Sequence, residues 1–154
     1  MDFSDLRIQQ MQLTDLNEVM AIEQSVYSHP WSRGNFVDAI DDNYDAWVAR
    51  SPESELLGYF VHMPIIDELH LLTIAVKESA QGRGLGHFFL LLMVERGKVN
   101  QMKSVLLEVR KSNKRAIKIY ESFGFKLVGR RKNYYQTNQH GREDALILNY
   151  EIVE

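Results

Sequence analysis

The sequence contains no cysteine. Disulfides, thiolate metal sites and a covalent thioester on the protein are thereby excluded. Long hydrophobic runs are missing too. The longest, Phe88 to Val94, has seven residues, where a bilayer-spanning helix needs about 20. The opening "MDFSDLRIQQ" lacks the basic and apolar regions of a signal peptide. Linkers, internal repeats and low-complexity segments are also absent, and only three prolines occur in 154 residues. Together these absences predict one cytoplasmic domain spanning residues 1–154, a monomer with no membrane partner. His29, His62, His70, His87 and His140 never recur three or four residues apart, and no HExxH occurs, so no metal is expected.

Charge is present but uneven. Residues 1–77 hold 4 Lys/Arg against 13 Asp/Glu, whereas residues 78–154 hold 14 against 8. The asymmetry fits scatter over solvated faces. It also fits a second half that meets an anion and a first half that meets a cation.

Local patterns give an order of elements. A short strand at 6–11 precedes a helix over 15–27, for which Thr14 offers an N-cap and Leu16, Val19, Met20, Glu23 and Tyr27 mark helical spacing. Pro30 stops that helix, and Ser32 caps a second running to Ile40. Strands follow at 44–50, 56–63 and 68–76, the first two joined by a turn containing Pro52. A helix over 84–100, a strand over 104–109 and a helix ended by Gly124 come next, and two strands close the chain. The order β-α-α-β-β-β-α-β-α-β-β predicts an α/β (α+β) fold, a mixed, mostly antiparallel sheet with helices on both faces. A doubly wound parallel fold is excluded because 44–76 does not alternate strand with helix.

Between the third of these strands and the next helix lies "AQGRGLGHFF". Gly82, Gly84 and Gly86 follow a strand and open a helix, where backbone amides lack intrahelical partners and the dipole is positive. Without Cβ atoms an anion approaches these amides closely, and Arg83 adds a charged donor. A phosphate or pyrophosphate is the natural occupant, although a ligand-free strand-to-helix turn fits as well. A P-loop is ruled out, since His87-Phe88 follows Gly86 in place of Lys and Ser/Thr. The dinucleotide fingerprint fails because His87 stands where its third glycine is required. What remains is Q-x-x-G-x-G, with Gln81, Gly84 and Gly86.

That loop in that element order resembles the GNAT superfamily of N-acetyltransferases, and the resemblance covers nearly the whole chain. "HPWS" (29–32), "IAV" (74–76), "LEVRKSN" (107–113), "IYESFGF" (119–125) and "RRKNYY" with "REDALIL" make it more specific. They are similar to the RimI-type branch, which acetylates the N-terminal alanine of a small-subunit ribosomal protein. The resemblance implies acetyl-coenzyme A as the acetyl donor. Its pyrophosphate would lie on the loop Gln81, Gly82, Arg83, Gly84, Leu85, Gly86 and His87, and its arm on the backbone of Ile74, Ala75 and Val76 and on Asn113. Two departures stand out. Lys111 replaces a small or apolar residue, and His87 replaces a phosphate-side arginine, so one fixed charge becomes pH-dependent.

An amine attacking a thioester needs a base, an oxyanion donor and an acid for the leaving sulfur. Lacking cysteine, the chain most simply allows direct attack in a ternary complex. Glu108 ends an otherwise apolar strand and is the expected base, partial burial raising its pKa, though a solvated strand-end carboxylate fits the same pattern. Tyr120 shares an apolar helical face and reads as a core tyrosine, whereas the resemblance makes it the acid. Asn113 suits an N-cap as well as the coenzyme arm. The resemblance also places Trp31, Tyr134 and Tyr135 along the acceptor groove, with a basic ribosomal-protein N-terminus as partner. A lysine side chain or a small amine as acceptor, or a non-catalytic acyl-coenzyme A module, are the alternatives. Nucleic acid is not an expected partner, because Glu121 interrupts the basic residues of 110–132.

Overall fold

The computed structural model describes residues 3–137 and 141–152. Their strands form one mixed, mostly antiparallel sheet of seven, in the order β1-β2-β3-β4-β5-β7-β6. In chain order the elements are β1 (Arg7–Gln10), α1 (Leu16–Val26), α2 (Arg33–Asp41), β2 (Asp45–Arg50), β3 (Leu56–Ile65) and β4 (Glu68–Val76). Then come α3 (Leu85–Val99), β5 (Ser104–Arg110), α4 (Lys114–Phe123), β6 (Lys126–Gln136) and β7 (Arg142–Glu151). This is the order read from the sequence, and β4 stands fourth of the seven strands. The chain falls into two compact units. One runs to Pro64 and includes Leu72–Phe89; the other comprises Ile65–Leu71 and the chain from Leu90 onward.

In the first unit, β1, β2 and β3 pair antiparallel, with Arg7 opposite Arg50 and Asp45 opposite His62. The inward stripe of α1, Leu16, Val19 and Ile22, meets Phe36 and Ala39 of α2 and Val48, Tyr59 and Val61 of the sheet. Ser32 caps α2 as its sequence predicts, its hydroxyl accepting from the Asn35 amide at 3.1 Å. The predicted cap on α1 is corrected. Thr14 lies inside a 3-10 turn, Leu13–Asp15, that precedes the helix. Asp15 turns its carboxylate back to accept the Gln12 amide at 2.7 Å. Asp also competes for such amides, and its reach from the third position secures the chain before the helix begins. Arg50 then ties β2 to this turn through Asp15 at 2.6 Å and to α1 through Glu18 at 2.9 Å.

In the second unit β4 and β5 run parallel, and their register covers Glu68↔Ser104, Leu69↔Val105 and His70↔Leu106. β4 goes on to Val76 and β5 to Arg110. Along β5 every second residue, Val105, Leu107 and Val109, is buried, as a half-buried strand requires. β7 pairs β5 antiparallel from Ser104↔Glu151 to Arg110↔Ala145, and β6 pairs the other edge of β7. Tyr120, Phe123, Phe125 and Tyr150 form an aromatic cluster with ring centroids 5.0–6.0 Å apart. Gly124 ends α4 at φ +127°, a conformation a Cβ resists, and its amide returns to Tyr120 and Glu121.

Gly58 in β3 marks the tightest approach in the first unit. A Cβ there would sit 2.6 Å from the Ala75 carbonyl oxygen and 2.8 Å from the Phe89 ring. Neither backbone nor a buried ring gives way cheaply. Gly58→Ala is expected to destabilise the chain by about 1–3 kcal/mol through overpacking. Gly34→Ala, whose nearest neighbour is Ser32 Oγ at 3.7 Å, should be neutral or stabilising by up to about 1 kcal/mol. Urea unfolding of the two variants measures both; equal effects would contradict the packing argument.

Candidate functional site

The loop that follows β4 is built by its glycines. Gly82 and Gly84 adopt φ +78° and +87°, which side-chain-bearing residues resist. Gly86 has no such need. It lies in the first turn of α3, and a Cβ on it would meet nothing within 4 Å. Alanine is worth about 1 kcal/mol more than glycine inside a helix, so packing does not explain its presence. An open space over bare backbone does, if an anion fills it. The first bond within α3 runs from the Phe88 amide to the Gly84 carbonyl at 3.0 Å. The amides that open a helix generally lack acceptors within it, and they carry the positive end of its dipole.

The other loop residues divide by role. Leu85 is buried and contributes backbone alone, while Arg83 and His87 are exposed. Gln81 turns its side-chain amide back onto the Val76 carbonyl at 2.9 Å, so it fixes the loop to the end of β4. Ile74, Ala75 and Val76 hold the strand just before it. Ala75 is buried, and the Ile74 carbonyl accepts the hydroxyl of Tyr27. Trp31 packs edge-on against Phe36 with centroids 5.0 Å apart. These residues all belong to the first unit.

Glu108, Asn113, Tyr120, Tyr134 and Tyr135 belong to the second. Glu108 and Gly129 both stand opposite Ile147, and Arg110 and Arg131 both stand opposite Ala145. Directly paired residues share a face, and so do residues two apart. Glu108, Arg110 and Arg131 therefore project from the same side of the sheet, with Ala145 and Ile147 of β7 between β5 and β6. Arg131 Nε lies 2.8 Å from the Glu108 carboxylate. Between Arg131 and Tyr135 the register shifts, through Asn133 at φ +52°, whose amide bonds Asp144 Oδ1. The two extra residues preserve parity and bring Tyr135 onto the Glu108 face. There the Arg110 guanidinium stacks on the Tyr135 ring at 4.4 Å, held by Glu143 at 3.1 Å and the Gln136 carbonyl at 2.6 Å.

Burial, followed by the negative charge of Glu108, pushes the Tyr135 phenol up to about 12. At neutral pH it is an uncharged hydroxyl. Tyr120 is 9% exposed and edge-on to Phe125 at 5.7 Å. Asn113 caps α4, its side-chain oxygen accepting from the Ala116 amide at 3.2 Å, as one of its two expected roles requires. Among the described residues no three His, Cys, Asp or Glu side chains gather as metal ligands would. His140 lies outside the described residues.

The model of the acetyltransferase (GNAT) family matches residues 16–125. The chain belongs to the acetyltransferase (GNAT) family. Among its relatives, the ribosomal protein bS18-alanine N-acetyltransferase of Salmonella typhimurium is 35% identical over 135 residues, covering 88% of this chain and 90% of the relative. The same enzyme of Escherichia coli is 33% identical, covering 92% and 94%, and a Bacillus subtilis protein named as a putative member of that group is also 33% identical, covering 92% of each. The crystal structure of the E. coli ribosomal-protein-S18-alanine N-acetyltransferase superposes with a TM-score of 0.88 at 32% identity, covering 97% of this chain and 95% of that one. The resemblance read from the sequence is thus supported by sequence and by fold. The family model spans the glycine loop, Glu108, Asn113 and Tyr120, whereas Tyr134 and Tyr135 lie beyond it.

Two features of this acetyltransferase escaped the sequence reading. One is the Arg131–Glu108 pair, which depends on both strands pairing with β7 and so has no signal in the local sequence. The other is Glu23, a carboxylate on the apolar stripe of α1 and only 2% exposed.

Two outcomes are expected. Gly86→Ala should leave the melting temperature within a few degrees of the parent and weaken acetyl-coenzyme A binding at least tenfold, read by calorimetry; unchanged affinity would empty the loop of its anion. For Tyr135, the phenol of the unfolded chain ionises near 10 while that of the folded chain stays protonated to about 12. Its contribution is therefore complete below pH 10 and lost as pH rises toward 12. Tyr135→Phe should flatten the fall of melting temperature in that window.

Proposed function

We propose that this chain transfers the acetyl group of acetyl-coenzyme A to the free α-amine of a protein N-terminus, the N-terminal alanine of ribosomal protein bS18. The activity of relatives 33–35% identical over nine-tenths of the chain supports the acceptor. The observation that carries donor binding is Gly86, a helical glycine kept bare beside open space.

Acetyl-coenzyme A supplies an activated acyl group, a thioester. The chain's residues do the rest. Amides of Gly82, Gly84 and Gly86 and the Arg83 guanidinium take up phosphate charge. The backbone of Ile74 to Val76 aligns the arm, with Asn113 as a further contact. An α-amine with pKa about 8 is mostly protonated at neutral pH, so a proton must leave before attack. Glu108 accepts it, directly or through water. Until then its charge is balanced by Arg131, which is 55% exposed and free to yield to the acceptor's ammonium. The Tyr120 hydroxyl gives a proton to the departing sulfur. With no cysteine in the chain, the acyl group passes to the amine without residing on a protein thiol. Tyr134, Tyr135 and Trp31 border the acceptor.

The test uses a basic peptide beginning with Ala and the same peptide with its amine blocked. Turnover is expected on the free amine alone. Glu108→Gln should lower kcat by about 10²–10⁴, the usual worth of a positioned base. Tyr120→Phe should lower kcat with little change in the peptide KM. Turnover on lysine side chains of the blocked peptide would replace the α-amine by a side-chain acceptor.

A further inference from the structure

Glu23 is a carboxylate with almost no access to water, 2% exposed, and the chemistry above makes no use of it. It is met by three neutral donors from three parts of the chain. Tyr59 on β3 donates its hydroxyl to Oε1 at 2.7 Å, Thr73 on β4 donates to the same oxygen at 3.0 Å, and the main-chain amide of Trp31 donates to Oε2 at 2.9 Å. Burial, with the nearby Glu23 charge second, raises the pKa of the Tyr59 phenol, so that hydroxyl keeps its proton for Glu23. One helical turn further, Tyr27 places its hydroxyl on the carbonyl of Ile74. Two side chains four residues apart, one on α1 and one at its C-cap, thus grip two successive residues of β4.

The consequence concerns the segment joining α1 to α2. It leaves α1 at Tyr27, already fixed to Ile74, and is fixed again at Trp31, whose amide returns to Glu23 and whose ring leans on Phe36. Ser32 then caps α2. Both ends of the segment are therefore referred to the strand stretch that precedes the glycine loop. A loop that needed only to connect two helices would not require a buried carboxylate; an apolar side chain would fill the same space at lower cost. We infer that Glu23 is a positioning residue for the acceptor. It holds the Tyr27–Trp31 segment in register with Thr73 and Ile74, so that the acceptor-bordering loop and the donor-aligning strand move as one. This rests on the acceptor reading given above for Trp31.

Glutamine offers a means to separate contacts from charge. Its amide oxygen can accept the Trp31 amide while its two N–H groups donate to the Tyr59 and Thr73 oxygens, since hydroxyls serve either role. Alanine breaks all three bonds. Expected for Glu23→Ala are a peptide KM raised at least tenfold, acetyl-coenzyme A affinity within threefold of the parent, and amide exchange at Trp31 accelerated at least tenfold. Glu23→Gln should restore all three readings to within threefold. Tyr59→Phe, which removes one buried hydroxyl and leaves the other two bonds, should raise the peptide KM by a smaller factor, and stands in if Glu23→Ala does not fold. A peptide KM unchanged in both Glu23→Ala and Tyr59→Phe, or a coenzyme affinity that falls in parallel with the KM, would overturn the assignment, the second outcome marking Glu23 as general support for the fold. Absence of turnover by the unaltered protein on any free-amine peptide overturns the acceptor reading together with this one. Turnover by the parent with no KM effect in the variants overturns this one alone.

Discussion

A carboxylate withdrawn from water must be met by donors wherever its lone pairs point, and Glu23 imposes that condition on much of the first unit. The condition is demanding. Each hydrogen bond to a charged group is worth about 1.5–3 kcal/mol, and a missing partner leaves the charge buried and uncompensated. Helix α1 must present Glu23 to the sheet, β3 and β4 must place Tyr59 and Thr73 side by side, and the chain must return after Pro30 to offer the Trp31 amide. Apolar packing of Leu16, Val19 and Ile22 tolerates small slips of a helix along a sheet; three directed bonds to two oxygens do not. The register of α1 on the strand that leads into the glycine loop is thereby fixed.

Downstream of that strand the design changes from side chains to backbone. Positive φ explains Gly82 and Gly84, whereas neither φ nor packing requires Gly86 to lack a Cβ. The loop is anchored by Gln81 on Val76 and by the buried Leu85, so the residues that hold it differ from those that would meet a ligand. Charge follows the same division along the chain. The acidic excess lies in residues 1–77 and the basic excess in 78–154. On the Glu108 face, acid and base are interleaved. Glu108 meets Arg131, Glu143 meets Arg110, and both guanidinium groups lie near tyrosine rings. Such pairs set which groups a newcomer must displace, and they are partly open to solvent, so exchange is cheap.

Much of this was legible in the chain. Element order followed from period and punctuation, with Ser32, Asn113 and Gly124 marking helix ends that the structure keeps. The α1 cap was misplaced: Thr14 lies inside a 3-10 turn, and Asp15 reaches back to the Gln12 amide from the end of that turn. Local sequence cannot choose between two adjacent capping side chains; the 3-10 turn decides. The loop was found because its glycines stand between a strand and a helix, a signal confined to a few neighbouring residues. Arg131 was not found, because β5 and β6 do not pair directly and its relation to Glu108 passes through β7, a strand later in the chain than either.

What the sequence by itself determined, then, is everything whose cause lies within a few residues: strand and helix periods, caps, the bare backbone of Gly82 to Gly86, the absence of a thiol. These fix the family and the glycine loop. Only tertiary structure decided which distant groups share a face or an oxygen. Glu23 reads as a misplaced charge on an apolar stripe until β3 and β4 bring Tyr59 and Thr73 to it. The reason is physical. A local conformation is set by the chain's own sterics and hydrogen bonds, whereas a buried charge is tolerated only by partners that are 36 and 50 residues away.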